Sequence, residues 1–347
     1  MNNSLHDLDR LKAEILNLLN TDSPEPSAED SSSDLIWQAL ATIAEIGKSE
    51  TDRLDWKLIV GSLQDMQRAI KVFHPYRHVR KISIFGSSRT QPHEPEYIQA
   101  QQFAEAITTR GFMVLTGAGN GIMSAGNQGA GCDQSFGLNI ELPFEQDSNI
   151  HIQACDRLIE FKYFFTRKLF FVRESDAIVL FPGGFGTLDE FFECLVLAQT
   201  GRSNPTPIVL IDHPDGDFWQ SWDIQIQKYL LDRNLVSQFD RSLYRITDQI
   251  EVACQIISDF YKIYHSCRRV EDLLVIRLNS EISDLHLDKL NYQFADILVK
   301  DRITRSPALE QEQQDIEIRS LPRLRLYFDF SSFGRLHELI LAINHTG

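Results

Sequence analysis

The sequence predicts an α/β protein: a Rossmann-like, doubly wound parallel sheet with an N-terminal helical preface and a small C-terminal α+β appendage. From Arg80 onward, short apolar runs alternate with amphipathic helical segments, which is the pattern of a parallel sheet covered by helices on both faces. Three of those runs end in small or glycine-rich turns. Ligands of such sheets bind at the carboxyl ends of the strands, so these turns are the expected place of a site.

The elements of the sheet follow from this alternation. The predicted strands are residues 81–85, 112–116, 135–140, 157–161, 176–181 and 207–212. The helices predicted between most of them are residues 94–110, 121–131, 162–174, 187–200 and 217–233. Helical spacing of apolar residues also predicts helices around 3–20, 34–47 and 55–73, ahead of the sheet.

The pattern changes after about residue 268. Residues 273–278 and 323–330 are predicted strands, Ser283 is a candidate cap for a following helix, and residues 301–315 are predicted as a polar loop. A last helix presents Leu336, Leu339, Ile340 and Ile343. The predicted domains are a helix over 1–20, a Pro/Ser/acidic linker over 21–34, a helical preface over 35–79, the Rossmann-like domain over 80–267 and the appendage over 268–347.

Composition excludes some partners. The net charge of −15 over 347 residues repels an extended phosphate backbone, so we expect no nucleic-acid partner, although local backbone dipoles can still bind a single phosphate ester. No apolar stretch of the sequence is long enough to cross a bilayer, and the polar N-terminal residues lead us to expect no signal peptide. The five cysteines have no CxxC pair or zinc-like spacing. We therefore expect reduced thiols, no metal site and a cytoplasmic location.

The strongest motif is DAIVLFPGGFGTLDEFFE, residues 176–193. An apolar strand is followed by Gly183, Gly184, Gly186 and Thr187 at the start of a helix. Glycines permit positive φ and close approach of a ligand, and the free N–H groups of a helix start attract a phosphate. Glu190, about one turn into the helix, can reach a sugar bound there and stabilise an oxocarbenium-like transition state or orient water. The alternative is a capping box of Thr187 and Glu190 that needs no ligand.

Two other strand ends carry small residues. TGAGNGIMSAGNQGAG (116–131) contains Gly117, Gly119 and Gly121 but lacks the G-x-G-x-x-G spacing of a dinucleotide site, so NAD is not expected. These glycines suit either close helix–sheet packing or ligand contact. After the first strand, Ser87 and Arg89 offer a hydroxyl and a guanidinium to a phosphate.

A fourth element is the helix FKYFFTRKLFFVRE (161–174), with Arg167 and Lys168 among aromatic residues. If it links two parallel strands, its N-terminal half lies near the ligand edge of the sheet. The alternative is a surface helix that exposes its basic residues.

Together these motifs resemble the LONELY GUY (LOG) family of cytokinin riboside 5′-monophosphate phosphoribohydrolases, many of which were earlier labelled lysine decarboxylases. The resemblance, which is closest to the longer subgroup of the family, extends from about Trp56 to about Trp222. The segments that carry it are PGGFGTLDE (182–190), FGSSRT (85–90), TGAGNGIMSAGNQGAG (116–131), GLNIELPFEQ (137–146), YFFTRK (163–168) and LVLAQTG (195–201).

The resemblance implies hydrolysis of a nucleoside 5′-monophosphate, such as a cytokinin riboside monophosphate or AMP, to free base and ribose 5-phosphate, without a cofactor. It also implies a homo-oligomer, a dimer or larger, with sites near subunit interfaces. Glu190 and Arg167 match the two groups thought to be catalytic. Gly183, Gly184, Gly186 and Thr187 match the phosphate-binding turn.

The second motif departs from the family pattern G-G-G-P-G-I-M-E-A at Ala118, Asn120 and Ser124. These departures keep open a module that binds a nucleotide without cleaving it. The remaining alternative is a pyridoxal-phosphate decarboxylase, which needs a lysine to form the Schiff base. Lys168 is the only lysine near a proposed site.

Overall fold

The computed structural model describes residues 32–141, 147–312 and 317–345. The predicted helix over 1–20, most of the predicted linker and part of the GLNIELPFEQ segment lie outside these residues. The described chain begins with α1 (Ser32–Lys48) and α2 (Arg53–Phe73). The chain divides into two units, Met1–Val60 and Gly61–Gly347.

A seven-stranded sheet forms the centre of the second unit. Its strands are β1 (Lys81–Phe85), β2 (Met113–Thr116), β3 (Ser135–Ile140), β4 (Leu158–Phe161), β5 (Ala177–Leu180), β6 (Ile208–Ile211) and β7 (Tyr244–Thr247). They lie in the order β4-β3-β2-β1-β5-β6-β7, and every neighbouring pair is parallel. The strand order reverses between β1 and β5, which is therefore the topological switch point.

Helices cover both faces of this sheet. They are α3 (Pro95–Thr108), α4 (Ile122–Ala130), α5 (Phe164–Glu174), α6 (Phe185–Gln199), α7 (Phe218–Ile226) and α8 (Ile250–Phe260). Alternate residues of each strand enter two separate cores: Leu180 packs with Phe170 and Phe191 on one face, while Val179 packs with Phe103 on the other. The predicted doubly wound Rossmann-like fold is confirmed.

A second, four-stranded sheet forms the appendage. It has the order β10-β11-β9-β8, with all neighbouring pairs antiparallel. Its elements are β8 (Tyr264–Val270), β9 (Leu273–Leu278), α9 (Asp284–Gln293), β10 (Leu298–Ser306), β11 (Arg323–Phe328) and α10 (Phe333–Asn344). The Ser283 hydroxyl accepts a hydrogen bond from the backbone of His286, so the predicted helix cap is confirmed.

Two predictions for this region were wrong. Residues 301–306, predicted as part of a loop, belong to the edge strand β10, and a further strand begins at Tyr264, four residues before the predicted change at 268. Both segments are polar edge strands. Charged residues are common on such strands because they discourage pairing with another chain. A polar strand of this kind contains no apolar run, so the sequence pattern does not predict it.

The expectation of five reduced thiols was also wrong. Cys132 and Cys155 form a disulfide, with Cα atoms 5.9 Å apart, a separation within the usual range. Cys194, Cys254 and Cys267 are free. The pairing joins residues 23 positions apart, which spacing alone does not reveal. No helix among the described residues is both long and apolar enough to span a membrane.

Candidate active site

Backbone hydrogen bonds tie together the three loops at the carboxyl edge of the central strands. The Ser87 N–H donates to the Pro182 carbonyl at 3.1 Å, joining the loop after β1 to the loop after β5. The Ile122 N–H donates to the Ser87 carbonyl at 3.0 Å, joining the loop after β2. Gly121 has φ +64°, and a Cβ there would lie 2.2 Å from the Ser87 carbonyl oxygen. Only glycine fits this junction.

The glycine-rich turn after β5 leads directly into α6, which begins at Phe185 with Gly184 at the N-cap position. Thr187 is therefore the third helical residue and not the cap, so the capping-box interpretation is wrong. Gly184 and Gly186 have open space where a Cβ would lie. A Gly183 Cβ would instead approach Thr187 Oγ1 to 2.2 Å. None of these three glycines has a positive φ. Their role is therefore to leave room for a ligand to approach the start of the helix, and not to permit an unusual backbone conformation.

These loops surround a cavity of ≈ 780 Å³. Nine of the predicted site residues line it: Ser87, Arg89, Gly117, Gly119, Arg167, Gly184, Gly186, Thr187 and Glu190. The first N–H groups of a helix have no partner within that helix, and those of α6 open beside this cavity. The cavity thus combines an anion-attracting helix start with two carboxylates and two guanidinium groups.

Glu190 is the more buried of the two carboxylates that line this cavity, the other being Asp189. Its side chain is 13% exposed, and its Oε2 atom is buried with no hydrogen-bond partner among the described residues. Burial raises the pKa of Glu190 to about 7, against the opposing effect of Lys168 and Arg167. A carboxyl group with this pKa can exchange a proton near neutral pH, as acid–base catalysis requires.

Arg167 is held in place by backbone carbonyls. Its Nε donates to the Leu138 carbonyl at 2.7 Å and its Nη2 to the Gly117 carbonyl at 3.2 Å. A Cβ on Gly117 would lie 2.3 Å from Nη2, so glycine at 117 makes room for the guanidinium. Burial lowers the pKa of Arg167 to about 10, and Glu190 opposes this shift. Arg167 is still a cation at neutral pH.

Lys168 does not line the cavity. Its Nζ lies 2.8 Å from an Asp189 oxygen and 3.8 Å from Glu190 Oε2, and it also contacts Glu193. Burial lowers the pKa of Lys168, but the hydrogen bonds to Asp189 and Glu193 outweigh it and raise the pKa overall. Of the remaining predicted binding residues, Gly121 and Gly183 pack the loops together, as described above.

The departures from the family pattern also lie outside the wall. Ala118 is fully buried. Its methyl group lies near Gly137 of β3, and a Cβ added to Gly137 would be 3.0 Å from it. The Ser124 hydroxyl lies 3.3 Å from the Tyr97 hydroxyl. Asn120 is exposed and does not line the cavity. None of the three side chains narrows the space for a ligand.

Several residues of the site were not predicted. Met123, Asn139, Ile140, Phe164 and Phe171 complete one side of the wall. Asn139 lies within a buried strand, where the sequence pattern does not distinguish it, although its position near the carboxyl end of β3 is a signal that points to a ligand site. Its Nδ2 donates to Glu160 Oε1 at 3.2 Å.

Asp65 supports the helix that carries Arg167. This fully buried carboxylate accepts hydrogen bonds from the backbone N–H groups of Lys162 and Tyr163 and from the Thr166 hydroxyl. It therefore satisfies donors at the N-terminus of α5 and favours the helix dipole. Asp65 lies about a hundred residues before Arg167 in the chain, so no local pattern links the two.

Among the described residues, no cluster of three or more His, Cys, Asp or Glu side chains could hold a metal ion.

Comparison with known proteins gives one matching family and one curated relative. The family model described as "Possible lysine decarboxylase" matches residues 118–257. Cytokinin riboside 5′-monophosphate phosphoribohydrolase LOG5 of Arabidopsis thaliana is 26% identical over 135 residues, which is 38% of this chain. The match spans 59% of the length of that relative.

The solved structures that share low similarity with the chain include two molybdenum cofactor proteins. A molybdenum cofactor binding protein from Rippkaea orientalis has a TM-score of 0.36 at 23% identity, covering 52% of this chain and 96% of its own. The molybdenum cofactor carrier protein of Chlamydomonas reinhardtii has a TM-score of 0.36 at 20% identity, with coverage of 52% and 96%. The fold assignment rests on the strand order of the sheet itself. Through its family match over residues 118–257 and its curated relative, the Rossmann-like domain of this chain is similar to the LONELY GUY (LOG) family.

Proposed function

We propose that this chain hydrolyses the N-glycosidic bond of a nucleoside 5′-monophosphate, releasing free base and ribose 5-phosphate. The observation that carries the proposal is the buried Oε2 of Glu190, which has no hydrogen-bond partner among the described residues, together with the pKa of this carboxyl group near 7. It belongs to the same cavity as Arg167 and the open start of α6. A phosphate at the helix start would bring the sugar of the same molecule toward this carboxylate.

In the proposed reaction, the bond between C1′ and the base nitrogen breaks, and its electron pair leaves with the base. The Glu190 carboxylate stabilises the positive charge that develops on the ribose. Water then adds its oxygen to C1′, and the base gains a proton. Arg167 holds the leaving base or the sugar phosphate in the reactive pose. Electrostatic stabilisation by a preorganised, partly desolvated group is an effective means of lowering such a barrier.

The wall also suggests how the substrate is oriented. All six of the following residues line the cavity, and we assign Ser87, Arg89 and Thr187 to the phosphate and the apolar side chains of Ile140, Phe164 and Phe171 to the base. We propose a purine nucleotide, either AMP or a cytokinin riboside monophosphate, because flat aromatic bases pack well on such surfaces.

Two other functions have less support. The hypothesis of a nucleotide sensor without turnover was based on Ala118, Asn120 and Ser124. The side chains of these residues are not part of the cavity wall. The pyridoxal-phosphate enzyme depended on Lys168, whose raised pKa favours the ammonium form and disfavours Schiff-base formation.

The purified chain, incubated with AMP or isopentenyladenosine monophosphate, should release free base and ribose 5-phosphate. Adenosine is the control, because it lacks the phosphate that the helix start would bind. We expect a much lower kcat/KM for adenosine. Equal rates on AMP and adenosine would contradict the phosphate site, and binding of AMP without release of base would favour the sensor.

We also propose a homo-oligomer. Phe164, Phe165 and Leu169 of α5 are 56%, 54% and 50% exposed, and Phe185 beside the cavity is 94% exposed. Exposed apolar groups of this size often mark protein–protein contacts, and a second copy would cover them. Analytical ultracentrifugation should detect a dimer or larger species, and Phe165→Ser should weaken it.

A further inference from the structure

Ala118 has a backbone conformation that disfavours alanine. Its φ is +60°, in the left-handed region where a Cβ costs free energy that glycine avoids. The LOG pattern has glycine at this position, and Ala118 lies between Gly117 and Gly119, which both line the cavity. The strain is therefore located directly beside the cavity wall, and such strain persists only when surrounding contacts hold the backbone in place.

Asn149 supplies those contacts from the connection between β3 and β4. Its backbone N–H donates to the Ala118 carbonyl at 2.8 Å. Its side-chain Nδ2 lies 3.0 Å from the Ala118 carbonyl, the Gly119 carbonyl and Asn127 Oδ1. Its Oδ1 accepts from the His151 N–H at 3.1 Å. Asn149 is only 5% exposed, so solvent cannot readily replace these bonds.

The loop segment Gly117–Gly119, to which Asn149 donates hydrogen bonds, also accepts a hydrogen bond from Arg167. The carbonyl of Gly117, adjacent to Ala118, accepts the hydrogen bond from Arg167 Nη2. A change in the backbone at Ala118 would move both this carbonyl and the wall at Gly119. A path of direct contacts thus runs from Asn149 through the strained loop to the guanidinium.

We infer that Asn149 is a positioning residue, which holds Ala118 in its left-handed conformation and thereby sets the cavity wall at Gly119 and the place of Arg167. The inference rests on the proposed function, because it assigns the effect of Asn149 to nucleotide binding and turnover. It also accounts for how this chain accommodates alanine where the family pattern has glycine.

Asn344 of the appendage provides a matched control. It is also 5% exposed, and its side chain also makes four hydrogen bonds, to the backbone N–H groups of Ile263 and Tyr264 and to the carbonyls of Phe260 and Ile340. Asn149→Ala and Asn344→Ala therefore remove similar numbers of buried hydrogen bonds. A merely structural role predicts similar losses of thermal stability and no specific effect of either on turnover.

The experiment measures KM, kcat, the Kd for AMP and the Tm of both variants. We expect Asn149→Ala to lower kcat/KM for AMP by about tenfold or more, the scale of one lost buried hydrogen bond, whereas Asn344→Ala lowers only the Tm. Adding Ala118→Gly to Asn149→Ala should restore part of kcat/KM, because glycine adopts the left-handed conformation without strain. Unchanged kcat/KM in Asn149→Ala, or strictly additive effects in this double-mutant cycle, would overturn the inference.

Hydrogen exchange separates this inference from the proposed function. The amides of Gly117–Ile122 should exchange faster in Asn149→Ala than in wild type, and at the wild-type rate in Asn344→Ala. This holds even if the wild-type chain releases no base from AMP, in which case the proposed function alone fails. If Asn149→Ala does not fold, Asn149→Ser, whose hydroxyl can donate only one hydrogen bond, replaces it. Wild-type exchange rates in the loop of either Asn149 variant would contradict the inference.

Discussion

The cavity and the appendage both bury charged side chains, but they stabilise them differently. In the appendage, Glu312 accepts from Arg277 at 2.9 and 2.6 Å and from Arg323 at 3.1 Å, and Arg323 also donates to three backbone carbonyls. In the cavity, Glu190 Oε2 has no hydrogen-bond partner among the described residues.

The pKa shifts follow this difference. Burial raises the pKa of Glu190 to about 7. Burial also acts to raise the pKa of Glu312, but hydrogen bonds and charge from Arg277, with a smaller contribution from Arg323, lower it overall. A satisfied buried cluster supports the fold, whereas an unsatisfied carboxylate in a cavity is a typical feature of a site that carries out chemistry.

The largest expected effect is on turnover in Glu190→Gln. Loss of a positioned acid–base group typically costs about 10²–10⁴-fold in rate, and we expect kcat/KM for AMP to fall on this scale. The Tm at pH 8 should stay the same or rise, because the variant no longer has to ionise a buried carboxyl group.

Glu193→Gln, one turn further along α6, is the control for this prediction and should retain activity at pH 8. If the activity of Glu190→Gln stays within a few-fold of wild type, the proposed contrast between a catalytic Glu190 and a structural Glu312 is wrong.

Glu312→Gln should show the opposite pattern. It leaves two buried guanidinium groups without their carboxylate, which typically costs about 3–5 kcal/mol, so we expect a fall in Tm on the order of 10 °C. The kcat/KM of the remaining folded protein should be unchanged. The exposed Glu310→Gln is the control. Because the pKa of Glu312 is lowered in the folded protein, its stabilising effect is present at neutral pH and is lost on acidification below its usual pKa.

The pH dependence of turnover distinguishes two roles for Glu190. If the carboxylate stabilises the ribose cation, kcat/KM should be constant above pH 7 and fall about tenfold per pH unit well below it, because protonation removes the charge. A profile that instead falls above pH 7 would mean that the protonated form is active, as a general acid toward the leaving base. Because the pKa of Glu190 is raised from 4.5 to about 7 in the folded protein, stability also falls as the pH rises from 4.5 toward 7, where the carboxyl group ionises more readily in the unfolded chain.

The smallest expected effect is a displacement of this profile. Lys168 lowers the pKa of Glu190 and Glu193 raises it. Lys168→Met should therefore move the acid limb to higher pH, and Glu193→Gln should move it to lower pH, with little change in the rate at pH 8. If the acid limb of the pH profile moved in the same direction in both variants, the cause would be a change in structure and not in charge.

Much of the candidate site could be predicted from local sequence. Glu190, Arg167 and the glycines of both turns follow strands whose apolar runs are easily recognised. Their supports could not be predicted: Asp65 and Asn149 are ordinary polar residues in segments without a motif. Only their packing against α5 and the Ala118 loop gives them a role.

Local patterns by themselves determined the fold class, because the period of apolar residues and the placement of small turns report directly on strands and helices. Tertiary structure alone decided the strand order with its switch point, the disulfide, the polar edge strand β10 and the contrast between Glu190 and Glu312. Each of these depends on contacts between residues far apart in the chain. The charge of a buried carboxyl group is likewise set by its neighbours in space, which the order of residues does not specify.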